Sequence, residues 1–216
     1  MTFGELINKL TVIYGEDCFN VYSNIPDKEI YIIKLEQSKR IAIFSHDQEL
    51  LYVFDSISMY DRNNKYYAVV MKNKKYGVMN MNGELEIDIN KNYIGVLGGH
   101  SFNINSLIVE ESDKVHRLYT DFIPVSKEYN RIVSGAGSYV IVVDYNGKSG
   151  LIRMDGTVVY EPQFDKIIVW DIRHLRKGTT YRFRAEKDNK IEYYRLEIYN
   201  GEEIFFKELN NKYKYC

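Results

Sequence analysis

Apolar residues fall at helical spacing in one place only, the start of the chain. Phe3, Leu6, Ile7, Leu10 and Ile13 line one face, a stripe that predicts an amphipathic helix lying on a sheet. Thr2 and Glu5 have capping-box spacing, and Gly15 supplies a stop. From Phe19 onward the pattern becomes short runs, among them Ile30 to Leu35, Ile41 to Phe44, Tyr66 to Met71, Tyr139 to Val143 and Tyr193 to Tyr199. Asn82-Gly83, Asn146-Gly147, Asp155-Gly156 and Asn200-Gly201 separate them. Such pairs between apolar runs predict hairpins with type I′ turns, which need positive φ at both central residues. Prolines are confined to Pro26, Pro124 and Pro162, as suits a chain committed to β-ladders.

The hairpins recur. Tyr76-Gly77-Val78-Met79-Asn80-Met81-Asn82-Gly83 lies over Ser149-Gly150-Leu151-Ile152-Arg153-Met154-Asp155-Gly156 at a shift of 73 (150 − 77), and Val69-Val70 lies over Val142-Val143 at the same shift. Weaker copies fall at Arg195 to Gly201, at Ala42 to Leu50 and near His116 to Phe122. The anchors at 48, 83, 121, 156 and 201 set a period in the range of solenoids, propellers and arrays. A unit of that size cannot bury its apolar face alone, so neighbours must stack. The expected fold is mainly β: repeated antiparallel β-hairpin units in a solenoid- or propeller-like stacked sheet, with one N-terminal helix over residues 1–15. It forms a single domain over 1–216, with units at 35–65, 66–105, 106–138, 139–180 and 181–212.

Lys75-Tyr76-Gly77 to Gly83-Glu84, and Lys148-Ser149-Gly150 to Gly156 followed by Tyr160-Glu161-Pro162-Gln163-Phe164-Asp165-Lys166-Ile167, resemble the WG repeat. That pattern runs aromatic-Gly, short strand, Gly turn, then Pro-x-aromatic-Asp. Tyr76, Ser149 and Ala42 stand where the family carries Trp. The resemblance implies a bacterial β-repeat scaffold that binds a macromolecular partner. Small modules of this style suggest a bacterial immunity or defence role.

Composition narrows the classes. With 45% hydrophobic and 27% charged residues over 216 positions, the chain can bury a core. Twenty Tyr and 10 Phe against a single Trp favour strands. A net charge of −1 excludes a whole-protein basic field for nucleic acid. Cys18 and Cys216 form neither a disulfide framework nor a metal clip. No run approaches the roughly 20 apolar residues of a membrane span, and the N-terminus lacks a basic start and an apolar stretch. Together these set a cytoplasmic expectation, with no membrane partner.

The most unusual local composition is the basic stretch from Arg173 to Arg184. It holds Arg173, Arg176, Lys177, Arg182 and Arg184 with His174, Tyr181 and Phe183 interleaved, and no acid. Arg and Tyr are favoured interface anchors, so Arg173, Arg176, Lys177, Tyr181, Arg182 and Arg184 are the expected partner-binding residues, with Arg176, Lys177, Arg182 and Arg184 solvent-accessible on one face together with Tyr181 or an aromatic from a neighbouring strand. The bland reading is a solvated edge. Gly98-Gly99-His100-Ser101 and Ser134-Gly135-Ala136-Gly137-Ser138 lead into no helical pattern and carry no P-loop lysine, so they read as turns. His46, His100, His116 and His174 are scattered without ligand spacing. Cys18, beside Glu16 and Asp17, has its thiolate disfavoured. The expectation is therefore no catalytic residues, no metal, no cofactor and no enzyme. A protein partner comes first, and a nucleic-acid-binding module using 173–184 is the alternative.

Overall fold

The computed structural model describes residues 3–21, 30–47, 49–62, 65–97, 106–133, 140–175, 178–199 and 202–208. It is mainly β, with one helix and five four-stranded antiparallel sheets. Helix α1 spans Phe3–Tyr14 and ends where Gly15 takes φ +65 and donates its N–H to the Thr11 carbonyl, a left-handed cap. Leu6 and Leu10 pack with Cys18, Ile33, Leu35, Ala42 and Phe44, so the stripe does lie on a sheet. Ile13 departs from that reading. It is the next-to-last helical residue and is exposed.

Each sheet is built from four consecutive strands in sequence order. The first holds β1 Cys18–Val21, β2 Ile30–Leu35, β3 Ile41–Ser45 and β4 Leu50–Phe54; the second β5 Ser56–Arg62, β6 Lys65–Lys72, β7 Lys75–Asn80 and β8 Leu85–Lys91. The third holds β9 Tyr93–Leu97, β10 Ser106–Ser112, β11 Val115–Thr120 and β12 Ile123–Pro124. The fourth holds β13 Arg131–Val133, β14 Val140–Tyr145, β15 Lys148–Arg153 and β16 Val158–Phe164; the fifth β17 Lys166–Leu175, β18 Gly178–Lys187, β19 Lys190–Tyr199 and β20 Glu202–Glu208. The sheets therefore start earlier than the expected units: at 56, 93, 131 and 166 where the units were placed at 66, 106, 139 and 181. The chain divides into two compact units, Met1–Val96 with Leu107–Asp113, and Leu97–Ser106 with Lys114–Cys216.

The shift of 73 holds down to register. Tyr76, Val78 and Met79 face Lys91, Ile87 and Leu85, while Ser149, Leu151 and Ile152 face Phe164, Tyr160 and Val158, with the ladder slipping at the same places. The glycine before each slip has a physical cause. A Cβ on Gly77 would stand 2.7 Å from the Ile87 carbonyl oxygen, and one on Gly150 2.6 Å from that of Tyr160. The neighbouring backbone occupies the space of a side chain there, which leaves room for glycine alone.

All five anchors fall between third and fourth strands, although Gln48 and Asn200-Gly201 lie outside the described residues. The turn type differs from expectation. At the second and fourth sheets only the glycine has positive φ (Gly83 +88, Gly156 +85). The Asn80 N–H donates to Glu84 O and the Gly83 N–H to Asn80 O, and Arg153 and Gly156 repeat both bonds with Thr157 and Arg153. This is a three-residue connection closed by a glycine bulge. Paired positive φ values occur as expected at Asn146-Gly147 (50, 74), and also at Asn73-Lys74 (53, 62) and Asp188-Asn189 (49, 60), all between second and third strands, and at Asp121-Phe122 (54, 64) between β11 and β12.

A second regularity joins the sheets. The residue immediately before the second, third, fourth and fifth sheets is Asp55, Asn92, Asn130 and Asp165, spaced by 37, 38 and 35 residues. The N–H groups of these residues donate to the carbonyls of Met71, Glu110, Asp144 and Glu186. The side-chain oxygens of Asp55, Asn130 and Asp165 accept the N–H of Asn73, Asn146 and Asp188, the first turn residue of the following hairpin. Lys75 and Lys148 add ammonium donors to Asn92 and Asp165. Three of the four junctions, at Asp55, Asn130 and Asp165, thus fix a tight turn through an Asx side chain. The pairing with Lys148 and the Asp188 amide holds the Asp165 carboxyl below the usual aspartate range.

Within each unit, apolar faces of successive sheets meet. Ile30, Ile32, Ile41 and Ile43 pack with Ala68, Val70 and Met79. Val142, Leu151 and Phe164 pack with Ile167, Tyr181, Phe183, Ala185 and Leu196.

Candidate interaction surface on the fifth sheet

The junction hydrogen bonds align Val69 with Val142 and Arg184, two residues before the accepting carbonyls of Met71, Asp144 and Glu186. Val69 pairs across the ladder with Val78, and Val142 with Leu151; Arg184 pairs with Tyr193. The face that is aliphatic in the second and fourth sheets is thus charged in the fifth. Its ten-residue strands β17 to β19 carry that face well past the junction turns.

A row crosses all four strands: Asp171, Arg182, Arg195 and Phe206 are successive ladder partners. The ladder slips between Val169 and Asp171, so Trp170 is an extra residue, and a bulge of this kind re-aims a side chain. Trp170 is 43% exposed although it is the chain's single tryptophan. The Arg182 guanidinium carbon lies 5.9 Å from the centre of its ring, within cation–π range. Arg182 Nη1 donates to Asp171 Oδ2 at 2.6 Å, and Arg173 Nε donates to the same oxygen at 2.9 Å. Arg184 pairs with Glu186 Oε1, Arg195 with Glu197 Oε1 at 3.2 Å, and the Arg195 guanidinium also covers the Phe206 ring at 4.7 Å.

These contacts revise the expected site. Arg173 is exposed, while Arg176 and Lys177 lie outside the described residues. Tyr181 is buried at 1% exposure because it points into the core with Phe183, its ring stacked on that neighbour. Arg182 is buried at 7%, clamped between Trp170 and Asp171, and Arg184 is half-buried. Tyr181 and Arg182 alternate on an extended strand, so they cannot share a face. The stretch contains no acid, but Asp171 and Glu186 on either side of it supply the countercharges. Sequence reasoning passed over Trp170, whose signal was a lone Trp three residues ahead of the first arginine of the cluster.

The remaining candidates separate. His46 stacks on Tyr31 with ring centres 6.0 Å apart, and His116 exchanges backbone hydrogen bonds with Tyr129. His100 and both glycine-rich segments lie outside the described residues, as do Arg176 and Lys177. Burial pushes the Cys18 thiol up, reinforced by Glu16 and Asp17, so its thiolate is disfavoured. Among the described residues no three His, Cys, Asp or Glu side chains come together as a metal site would need, and no helix is long and apolar enough to cross a membrane.

No protein-family model and no curated protein matches the chain. Among solved structures, the crystal structure of BBS1N in complex with ARL6DN is similar at 11% identity and a TM-score of 0.32, covering 84% of this chain and 76% of that one. Hsv2 of Kluyveromyces lactis is similar at 14% identity and a TM-score of 0.33, and the match covers 84% of this chain and 61% of Hsv2.

Proposed function

We propose that the chain is a non-enzymatic protein-interaction module, a degenerate WG-repeat-like scaffold of the bacterial cytoplasm whose fifth sheet presents the contact face. The observation that carries this reading is Trp170. A charged outer face is what any stacked sheet needs to meet water, and scattered Lys, Glu or Ser would serve. An indole lifted out of its ladder by a bulge, held over the buried Arg182 and its partner Asp171, exceeds that need. Trp and Arg are the residues most enriched at binding hot spots, and a rigid ring costs little entropy to immobilise. The nucleic-acid alternative is weakened by the carboxylates beside Arg173, Arg182, Arg184 and Arg195, since phosphate binding draws on uncompensated cations.

The test is capture with the immobilised protein from a lysate of its source cells, followed by binding of the purified captured partner. Trp170→Ala is expected to weaken that binding by roughly tenfold or more, equivalent to about 1.4 kcal/mol. Its melting curve is expected to stay near the parent's because Trp170 lies outside the packed core cluster of this sheet. A partner held equally well by Trp170→Ala moves the interface to another surface. The reversal of Arg182 and Arg184 to Glu, natural from sequence, is a poor probe: it leaves Asp171 buried against a like charge and breaks a pair whose loss costs about 3–5 kcal/mol.

A further inference from the structure

We infer that β4, the last strand of the first sheet, accepts an extended segment of a partner protein that is apolar along its length and cationic at its ends. The inference does not depend on the fifth sheet. β4 runs Leu50-Leu51-Tyr52-Val53-Phe54, and β3 is its ladder partner among the described residues. An edge strand offers main-chain donors and acceptors to a further strand, and proteins blunt such edges with charges, proline, shortness or bulges. The other last strands follow that rule. β8 carries Glu86, Asp88 and Lys91, β16 carries Glu161 and Pro162, β20 carries Glu202, Glu203, Lys207 and Glu208, and β12 is the two-residue Ile123-Pro124. β4 has neither charge nor proline, and Leu50 and Leu51 are 50% and 38% exposed.

The ladder of β4 is also straighter. The residues before the junctions, Phe54, Lys91 and Phe164, face Ile41, Tyr76 and Ser149. Ala42 therefore corresponds to Gly77 and Gly150, one position on from the tryptophan site at which the repeat pattern set it. β8 and β16 slip twice, first over the glycine and again nearer the turn. β4 keeps only the second slip, between Ile43 and Phe44, and Tyr52, Val53 and Phe54 pair without interruption. The first slip presses backbone into the space of a Cβ, which the Ala42 methyl fills. Bulges turn an edge away from pairing, so the edge without the first bulge is the one left open to it. Main-chain hydrogen bonding fixes the occupant as an extended chain, and the flanking charge fixes its character. Asp47 and Glu49 precede the strand and Asp55 follows it, all exposed. A second copy pairing antiparallel about Tyr52 would set Glu49 opposite Asp55, and pairing about Leu51 would set Asp47 opposite Asp55. Like charges facing across a ladder are destabilising, whereas Lys or Arg at the ends of a partner strand meets these acids favourably.

The probe is a fluorescent peptide of alternating Thr and Val with two Lys at each end, titrated against the full chain. One comparison carries Glu at its ends, and another keeps the Lys ends but has Pro at its centre, which removes a main-chain donor. The Lys-ended peptide is expected to bind roughly tenfold more tightly than either. Leu50→Lys, which puts a cation on the exposed edge, is expected to cut that affinity about tenfold while the melting temperature stays close to the parent's. Asp47→Lys with Glu49→Lys is expected to turn the preference toward the Glu-ended peptide. Equal affinity for the Lys- and Glu-ended peptides, unchanged binding by Leu50→Lys, or no binding at all overturns the inference. A dimer of the parent that Leu50→Lys dissociates overturns it in favour of a second copy. Trp170→Ala is expected to bind the peptide like the parent, and a loss with that variant overturns the inference by moving the peptide to the fifth sheet.

Discussion

The hairpins at 67–85 and 140–158 have the same register, the same ladder slip and the same turn. Their surroundings differ. In the first copy, a Cβ on Gly83 would meet the Leu51 Cδ1 methyl at 2.7 Å, the end of a flexible side chain. In the second, a Cβ on Gly156 would meet the Val125 carbonyl oxygen at 2.1 Å, and the carbonyl of Met154 next to it accepts the hydroxyls of Ser106 and Thr120. The position before the ladder slip differs too. Tyr76 is half-buried, its ring edge-on to Tyr93, whereas Ser149 is buried and donates to Asp144 Oδ1 at 2.7 Å. The backbone pattern thus survives without a fixed set of side chains. Hydrogen bonds and two glycines define it, and each copy has solved the packing around it separately.

Alanine at the two turn glycines should break the equivalence most. Both glycines sit at positive φ, where a side chain costs about 1–2 kcal/mol. Gly83→Ala is expected to cost about that much, since Leu51 can turn aside. Gly156→Ala adds a backbone collision, for a total of about 3 kcal/mol or more. Denaturant melts of both variants check this, and equal losses would mean that Val125 yields as easily as Leu51.

Tyr76→Ala should have a smaller effect. From sequence alone this tyrosine reads as a buried seam residue, whose truncation costs on the order of 3 kcal/mol. Half-buried against Tyr93, it is expected to lose about 1 kcal/mol, the scale of one edge-on aromatic pair. The same melts measure it, and a loss near the larger figure would restore the seam role.

The smallest effect compares two junctions. Asn130 and Asp165 hold the same kind of turn amide, but only the aspartate titrates. Its pKa is lowered in the folded protein by Lys148 and the Asp188 amide. Its contribution is therefore present above the unfolded value, about pH 4, and is lost as the pH falls through the folded value. Asp165→Asn is expected to flatten the acid limb of a stability-against-pH curve below about pH 4. An unchanged limb would place the acid sensitivity elsewhere, for example at Glu16, whose carboxyl is held down by the amides of Ser38 and Gln37.

Much of the scaffold was legible because glycine and apolar spacing report backbone demands directly. Met81 and Met154, Val70 and Val143 coincide in burial as they coincide in the alignment. The junctions were overlooked although their signal is present: Phe54-Asp55-Ser56-Ile57, Tyr129-Asn130-Arg131-Ile132 and Phe164-Asp165-Lys166-Ile167 share a buried aromatic, an Asx and an isoleucine. Asp and Asn are common in loops, so their side-chain partners emerge only with coordinates. The candidate surface was half legible. A cluster of arginines marked the right strand, but alternation places Tyr181 and Arg182 on opposite sides, and the ion pairs depend on cross-strand register that composition does not carry.

The junction geometry bears on how the chain is made. Every sheet consists of neighbouring stretches of chain, and Asp55, Asn130 and Asp165 each find their turn amide only 18, 16 and 23 residues further on. Such local closure keeps contact order low for a β protein, and low contact order favours fast folding. A growing polypeptide could complete one sheet, latch the next hairpin onto it and continue, without waiting for a distant strand. Unpaired strands would be exposed only at the growing end, which limits the opportunity for the edge-to-edge association that troubles slowly folding β proteins.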